Sequence, residues 1–441
     1  MPDKILLKSH LDTIIKLFRD GHFEQTLKEI NNLLADHGNE PFLYNLKGMT
    51  EIKTSEFKLS IESFNNAIKL KPEYVEAFNN MSTSYINIGE FDKAIFFLKK
   101  AIKLRPDYIN AYNNLASVLN DQGNYEESIK TFDKLLKIDS NYPGVKENII
   151  KILTFYEPKN KNLNIFTKLN DLLKNININN ELLDKDIIDF YKKCNEVVLN
   201  KLDDLEFNFS QIWRRNKIDL NCTRHFDVFR NFNVIPEFCF SCFKVQIELC
   251  SLIDLFRLYF LFDKLKLDEN KSRKTIIEMR TIGKGNYKGL IYCSGIDEAR
   301  TIHKKLNNLT QNFFNKEPNI KLRRGCTEFG NSYPDYKNID RPEDEFMKFK
   351  EEWKDKEMKI DEKLPTKNRI NQRVLKDTIQ GITLNDFLIM KNWIMYAKQI
   401  DDHDYKKFDS KIKVSEYMEK NLSDQLSYRK NEFKNFSLLS K

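Results

Sequence analysis

Glycine is scarce in this chain, at 13 of 441 residues. Folds that cradle a nucleotide in a glycine-rich loop need several at fixed spacing. Neither G-x-G-x-x-G nor G-x-x-x-x-G-K-[ST] occurs. Long apolar runs are missing too. The opening MPDKILLKSH has too short an apolar stretch for a signal peptide, and charges follow it. The most apolar later window, 252–262, is interrupted by Asp254 and Arg257 and is too short to span a bilayer. The expected location is therefore the cytoplasm. There the seven cysteines are reduced thiols or metal ligands rather than a disulfide framework. A dense basic stripe is also lacking. The net charge is +8, but residues 1–142 carry 18 basic and 20 acidic groups. The positive excess is spread over 143–441, with small clusters at Arg214-Arg215-Lys217 and Lys321-Arg323-Arg324. Nucleic acid is not the expected partner.

What the chain does have is charge, at 31% of residues, and a hydrophobic fraction of 41%. That suits two or three folded domains with helical surfaces. Aligning 41–74, 75–108 and 109–142 shows a repeat. Phe57, Phe91 and Tyr125 share one column, Ser60, Ala94 and Ser128 another. Phe64, Leu98 and Phe132 follow, then Ala67, Ala101 and Leu135. Pro72 and Pro106 close two units, and Gly89 and Gly123 sit between paired helices. With a degenerate first unit at about 7–40, this region resembles the tetratricopeptide-repeat (TPR) family, which has one helix pair per 34 residues. Lys47 and Glu51 depart from the pattern, standing where apolar residues are usual.

The resemblance implies a solenoid over 7–142 that binds a protein or peptide in a groove lined by the first helix of each pair. Asn45, Asn79 and Asn113 recur at one column of that helix, with Asn80 and Asn114 beside them. An amide offers both a donor and an acceptor, so the column suits a peptide backbone. The alternative is that Asn is simply abundant and tolerated on an exposed face.

Residues 143–205 have helical spacing without the period and are expected to form a helical cap or bridge. Residues 206–400 are expected to be an α+β domain. Its core, 243–326, reads strand (243–249), helix (252–265), strand (274–279), strand (289–293), helix (296–313), strand (319–324). That order is ferredoxin-like, β-α-β-β-α-β, a topological term. The whole chain is thus expected to be a multidomain α+β protein: an all-α solenoid, then a ferredoxin-like domain with extra helices. A charged helix is expected at 343–358. Another is expected at 383–400, opened by a capping box of Thr383 and Asp386. Residues 401–441 read as a polar, partly mobile tail.

Two short pairs stand out: Cys222 with His225, and Cys239 with Cys242. Such pairs separated by a loop are the usual spelling of a small zinc site. In the expected topology the last strand runs antiparallel to the first, which brings Cys326 near Cys242 as a substitute ligand. The other reading is that these thiols are small buried hydrophobes among Phe238, Phe240 and Phe243. A redox C-x2-C is disfavoured, because the pair precedes a strand rather than a helix. Cys293 with His303, and the triplet Asp402-His403-Asp404, are weaker candidates for catalysis and metal binding. The functional expectation is a protein-interaction adaptor or scaffold with a C-terminal module in which zinc is one candidate stabiliser. The alternative is an enzyme with a TPR targeting domain, such as a glycosyltransferase-like transferase acting on a recruited protein.

Overall fold

A computed structural model describes residues 2–179, 181–202, 205–214, 218–267, 271–364, 373–374 and 377–439. Arg215 and Lys217 of the first basic cluster lie outside the described residues. The chain divides into two compact units. One is Met1–Val145 with the short stretch Asp361–Arg369; the other is Lys146–Ile360 with Ile370–Lys441.

The first unit contains eight helices among the described residues: α1 (Pro2–Arg19), α2 (Phe23–Asp36), α3 (Pro41–Lys53), α4 (Phe57–Leu70), α5 (Val75–Asn87), α6 (Phe91–Leu104), α7 (Ile109–Asp121) and α8 (Tyr125–Ile138). Each pair is closed by the same turn. The N–H groups of His22, Glu56, Glu90 and Asn124 bond the carbonyls five residues back, on Leu17, Glu51, Tyr85 and Leu119. This is the Schellman closure, whose C′ residue must take a positive φ. Gly21, Gly89 and Gly123 hold that place at φ 83°, 84° and 82°; Ser55 holds it at φ 66°. Between closures the small column lets paired helices approach. A Cβ on Gly48 would lie 2.7 Å from the Phe64 ring, and Ser82 and Ala116 at the same column are fully buried. Phe64, Phe78, Met81, Leu98 and Leu115 form the continuous core. The out-of-pattern Glu51 is buried. Burial raises its pKa, although Ser63 Oγ donates to its carboxylate at 2.7 Å.

The second unit is built on one sheet. Its strands are β1 (Gln211–Arg214), β3 (Phe243–Leu249), β4 (Arg273–Ile277), β5 (Tyr287–Cys293) and β6 (Asn319–Arg324), in the order β1-β4-β5-β3-β6 with every neighbour antiparallel. A two-residue pair, β2 (Ile218–Asp219) with β7 (Arg373–Val374), is separate. Helix α13 (Leu252–Lys264) links β3 to β4, and α14 (Ile296–Thr310) links β5 to β6. Both pack on the sheet face that carries Gly289, where a Cβ would come within 2.5 Å of Leu258.

Helices α9 (Val145–Ile152), α10 (Ile165–Lys174) and α11 (Asp184–Val198) occupy the segment expected as a cap or bridge; α10 packs on α18 (Leu384–Gln399) and α11 on α13. Helix α18 has the expected capping box, Thr383 Oγ1 accepting from the Asp386 N–H, and is buried on nearly every side.

Two expectations need correction. The continuous charged helix expected over 343–358 is broken. Short 3-10 turns at Glu343–Glu345 and Glu351–Trp353 precede α17 (Lys354–Asp361). Phe346, Phe349 and Trp353 are drawn out of one helical register to meet Phe243 and Phe240. Nor is the stretch after residue 400 a solvated tail. It forms α19 (Tyr405–Asp409), α20 (Glu416–Leu422) and α21 (Leu426–Leu439), with Phe408, Met418, Leu422 and Arg429 buried. Apolar residues at helical spacing give these short helices a face to bury. Between β6 and α17 lie α12's partners: α12 itself is Cys222–Phe232, and α15 (Thr327–Ser332) and α16 (Pro334–Lys337) follow β6. Among the described residues no helix is long and apolar enough to cross a membrane.

Candidate functional site

In the first unit the asparagine column bonds from repeat to repeat. Asn80 Nδ2 donates to Asn45 Oδ1 at 3.1 Å, and Asn114 Nδ2 to Asn79 Oδ1 at 2.9 Å. Each link spans 35 residues, one more than the period. Asn45 and Asn79 are buried by it, while Asn80, Asn113 and Asn114 stay half-buried. The amides therefore hold α3, α5 and α7 side by side. The sequence showed the column but not this use of it.

In the second unit, a cavity of about 300 Å³ lies on the sheet face opposite α13 and α14. Its floor follows from the register. One row across the strands reads Trp213, Lys274, Leu290, Gln246; the next reads Tyr292, Lys244, Arg323. Residues 244, 246 and 248 of β3 would be the solvent side of an uncovered sheet. Here they are buried: α12, the 3-10 turn Glu237–Ser241 and α15 line the same cavity as Lys244 and Gln246, and Glu248 meets Asn319 and Lys321.

All of Cys222, His225, Cys239, Cys242 and Cys326 line this one cavity. The Cys242 N–H bonds the Cys239 carbonyl at 3.2 Å, and the Gly325 N–H bonds the Cys242 carbonyl at 2.8 Å, which sets Cys326 beside the pair. Among the described residues no three His, Cys, Asp or Glu side chains gather as a ligand set. Lys244 Nζ, itself a cation, is 3.4 Å from Cys326 Sγ. His225 stacks on Phe238 with ring centroids 5.1 Å apart. Burial pushes the Cys239 thiol well up and the Cys242 thiol to about 12.

Charges on the floor fall into two groups. Glu278 is a hub: Lys288 Nζ donates to it at 2.7 Å, and Arg280 at 2.9 Å through two nitrogens. Burial opposes its charge, but these bonds and ammonium neighbours hold its pKa at about 2. Arg280 also reaches Glu328. Lys244 and Lys274 form the second group, and among the described residues neither meets a carboxylate. Lys244 Nζ donates to the Gly325 carbonyl at 2.8 Å and lies 5.2 Å from the Tyr292 ring centre. Lys274 Nζ donates to Gln211 Oε1 at 2.7 Å and lies 4.6 Å from Trp213 and 5.9 Å from Tyr292. Burial, then repulsion by Lys244 and Arg280, lowers the Lys274 pKa to about 7.

The remaining sequence candidates have structural roles. Asp402 accepts from the Leu252 N–H and the Tyr287 hydroxyl, at 2.8 and 2.7 Å, capping α13. His303 bonds the Ile320 carbonyl at 3.1 Å, and Cys293 is a buried thiol pushed to about 12 by burial. In the second basic cluster Lys321 pairs with Glu248, and Arg324 is enclosed by Phe240, Tyr336 and Phe346. Trp213 and the two unpaired lysines were missed by sequence reading. Their one local signal was polar residues on a strand otherwise rich in apolar ones.

Comparison with known proteins places the first unit. Family models described as tetratricopeptide repeat match residues 43–74 and 89–147. Among curated proteins none matches the sequence. Solved structures similar to part of the chain include MamA from Desulfovibrio magneticus RS-1, at 16% identity and TM-score 0.31, over 33% of this chain and 82% of that one. Another is the first TPR of Spaghetti (RPAP3) bound to an HSP90 peptide, at 18% identity and TM-score 0.25, over 26% of this chain and 90% of that one. A third is pilF of Pseudomonas aeruginosa, at 18% identity and TM-score 0.32, over 33% of this chain and 67% of that one. Family matches, 34-residue closures and shared small-residue columns agree: the first unit is built from tetratricopeptide repeats.

Proposed function

We propose that the chain is a protein-interaction scaffold that holds an extended partner segment along α3, α5 and α7, with Asn113, Asn80 and Asn114 contributing free amide capacity and Asn45 and Asn79 fixing their spacing. The observation that supports this most is the amide relay, which presents the same polar column from three successive repeats at a regular interval. Pre-positioned donors and acceptors lose little freedom on binding. The second unit we read as a ferredoxin-like module extended by β1. Support comes from the order β4-β5-β3-β6 and from two helical crossovers that each span a strand. Zinc at Cys222, His225, Cys239 and Cys242, with Cys326 as substitute, stays a second reading of this cavity, and elemental analysis of the purified chain decides it.

The test uses the full chain and a partner recovered by pull-down. Asn113→Ala with Asn79→Ala should weaken binding by about 1–3 kcal/mol, the worth of one or two net hydrogen bonds. The helical circular dichroism signal should be unchanged. Unaltered affinity in the double variant would sink the groove reading and leave the repeat fold standing.

A further inference from the structure

The buried face of the sheet carries two lysines that meet no carboxylate among the described residues. Lys244 is 8% exposed, and its ammonium contacts a carbonyl, a thiol and a ring. Lys274, diagonal to it across the rows, contacts an amide oxygen and two rings. The two ammonium groups share the Tyr292 ring, and the carboxylates that line the cavity, Glu278 and Glu328, are held by Arg280 and Lys288. Burying a cation without a counter-charge is unfavourable unless something else supplies one. Two other buried cations of this unit have carboxylates, Arg214 with Asp263 and Asp386 and Arg224 with Glu357, while Arg324 is held by the Phe240 and Met347 carbonyls.

Beside the thiols and the Glu278 hub, the cavity has a large apolar and aromatic share. Leu220, Phe226, Phe238 and Phe329 face Leu290 and Ile276, and Trp213 stacks on Tyr292 with centroids 5.5 Å apart and planes 20° apart. A volume of about 300 Å³ is at the small end of small-molecule sites. A chamber with two lysines that meet no carboxylate among the described residues and a stacked aromatic wall suits a ligand with both characters.

We propose that this cavity binds a small organic anion built on a planar ring, an aryl or heteroaryl phosphate or carboxylate. Its anionic oxygens lie between Lys244 and Lys274, and its ring lies among the aromatic side chains. Burial lowers the Lys274 pKa to about 7, and an anion beside it would favour the ammonium form, so binding takes up a proton near neutral pH. Gln211, which accepts from Lys274, positions that ammonium toward the chamber.

The experiment is isothermal titration of the full chain with four probes: phenyl phosphate, benzoate, phenol and inorganic phosphate. At least one ring-bearing anion should bind ten times more tightly than both phenol and inorganic phosphate. Whichever of phenyl phosphate and benzoate is tighter identifies the head group. Lys244→Met and Lys274→Met should each weaken that binding at least tenfold. Gln211→Glu places a carboxylate on Lys274 without changing side-chain size, so it tests the idea even if a lysine variant misfolds; it too should weaken binding tenfold. Equal affinity for ring-bearing and ringless anions overturns the proposal, as does binding that ignores Gln211→Glu. One equivalent of zinc in the purified chain, lost in Cys242→Ser, would assign the lysine charges to a thiolate centre and also overturn it.

Discussion

The two units solve opposite problems with the same residue types. In the repeats, polar groups are satisfied locally and identically. A closure bond recurs at His22, Glu56, Glu90 and Asn124, and an amide link recurs one repeat later. In the sheet unit, each buried charge has its own unrepeated set of partners. Some are near in sequence, as Arg280 and Lys288 are to Glu278; others are far, as Asp263 and Asp386 are from Arg214 and the Gly325 carbonyl is from Lys244. Damage to a repeated local device should therefore be small and confined, whereas damage to a buried charge should be large.

The largest effect is expected at the Glu278 hub. Glu278→Ala leaves Lys288 buried without its carboxylate, and breaking such a pair destabilises by about 3–5 kcal/mol. Urea unfolding at pH 7 measures it. The Glu278 carboxyl is held at about 2 against an ordinary 4.5. Its stabilisation is thus complete above pH 4.5 and is lost as pH falls toward 2, so the gap between wild type and variant should narrow over that window. An unchanged midpoint at pH 7 would remove the contrast between the units.

A smaller effect of opposite sign is expected at Lys274. Its pKa is lowered from 10.5 to about 7, so folding is penalised most where both states are protonated, below pH 7. The penalty fades as pH rises from 7 to 10.5. Lys274→Met should raise the melting temperature by a few degrees at pH 6 and by much less at pH 10. Of the charged and titratable groups around it, Lys244 and Arg280 add to the lowering by burial, while Cys326 and Cys222 oppose it without reversing it. A variant that melts lower at pH 6 would mean that the charge is compensated.

The smallest effect lies in the repeats. Ser55 takes a positive φ where the other closures have glycine. Ser55→Gly should stabilise by about 0.5–1 kcal/mol, since the left-handed conformation disfavours a Cβ. Thermal unfolding of the full chain checks it, and a loss of stability would show that the Ser55 turn is not equivalent to the rest.

This contrast also explains what could be read from the sequence. The repeats were legible because each column answers to a contact 34 residues away in a similar setting. Thr383 and Asp386 were legible because a capping box is local. The proximity of Cys326 to Cys242 followed from strand order alone. The cavity was not legible. Lys244, Gln246 and Glu248 alternate with apolar residues and read as a solvated face; nothing nearby in sequence says that α12 and α15 cover it. The role of Asn79 was half legible. Its column was visible, but the donor that occupies its oxygen, Asn114, belongs to the next repeat.

The amide link spans 35 residues while the closure turns recur every 34, and that difference is itself constant along the array. Removing residues 75–108 as a block would leave Asn45 facing Asn114, the same chemistry in the same frame. Duplicating the block would do likewise. Repeat number can therefore change by whole units without rewiring any contact, which makes groove length an evolvable quantity. A single inserted residue within α5 has no such freedom. It would throw the turn at Gly89, the small column at Ser82 and the amide at Asn79 out of phase together, so tolerated length changes should be quantised.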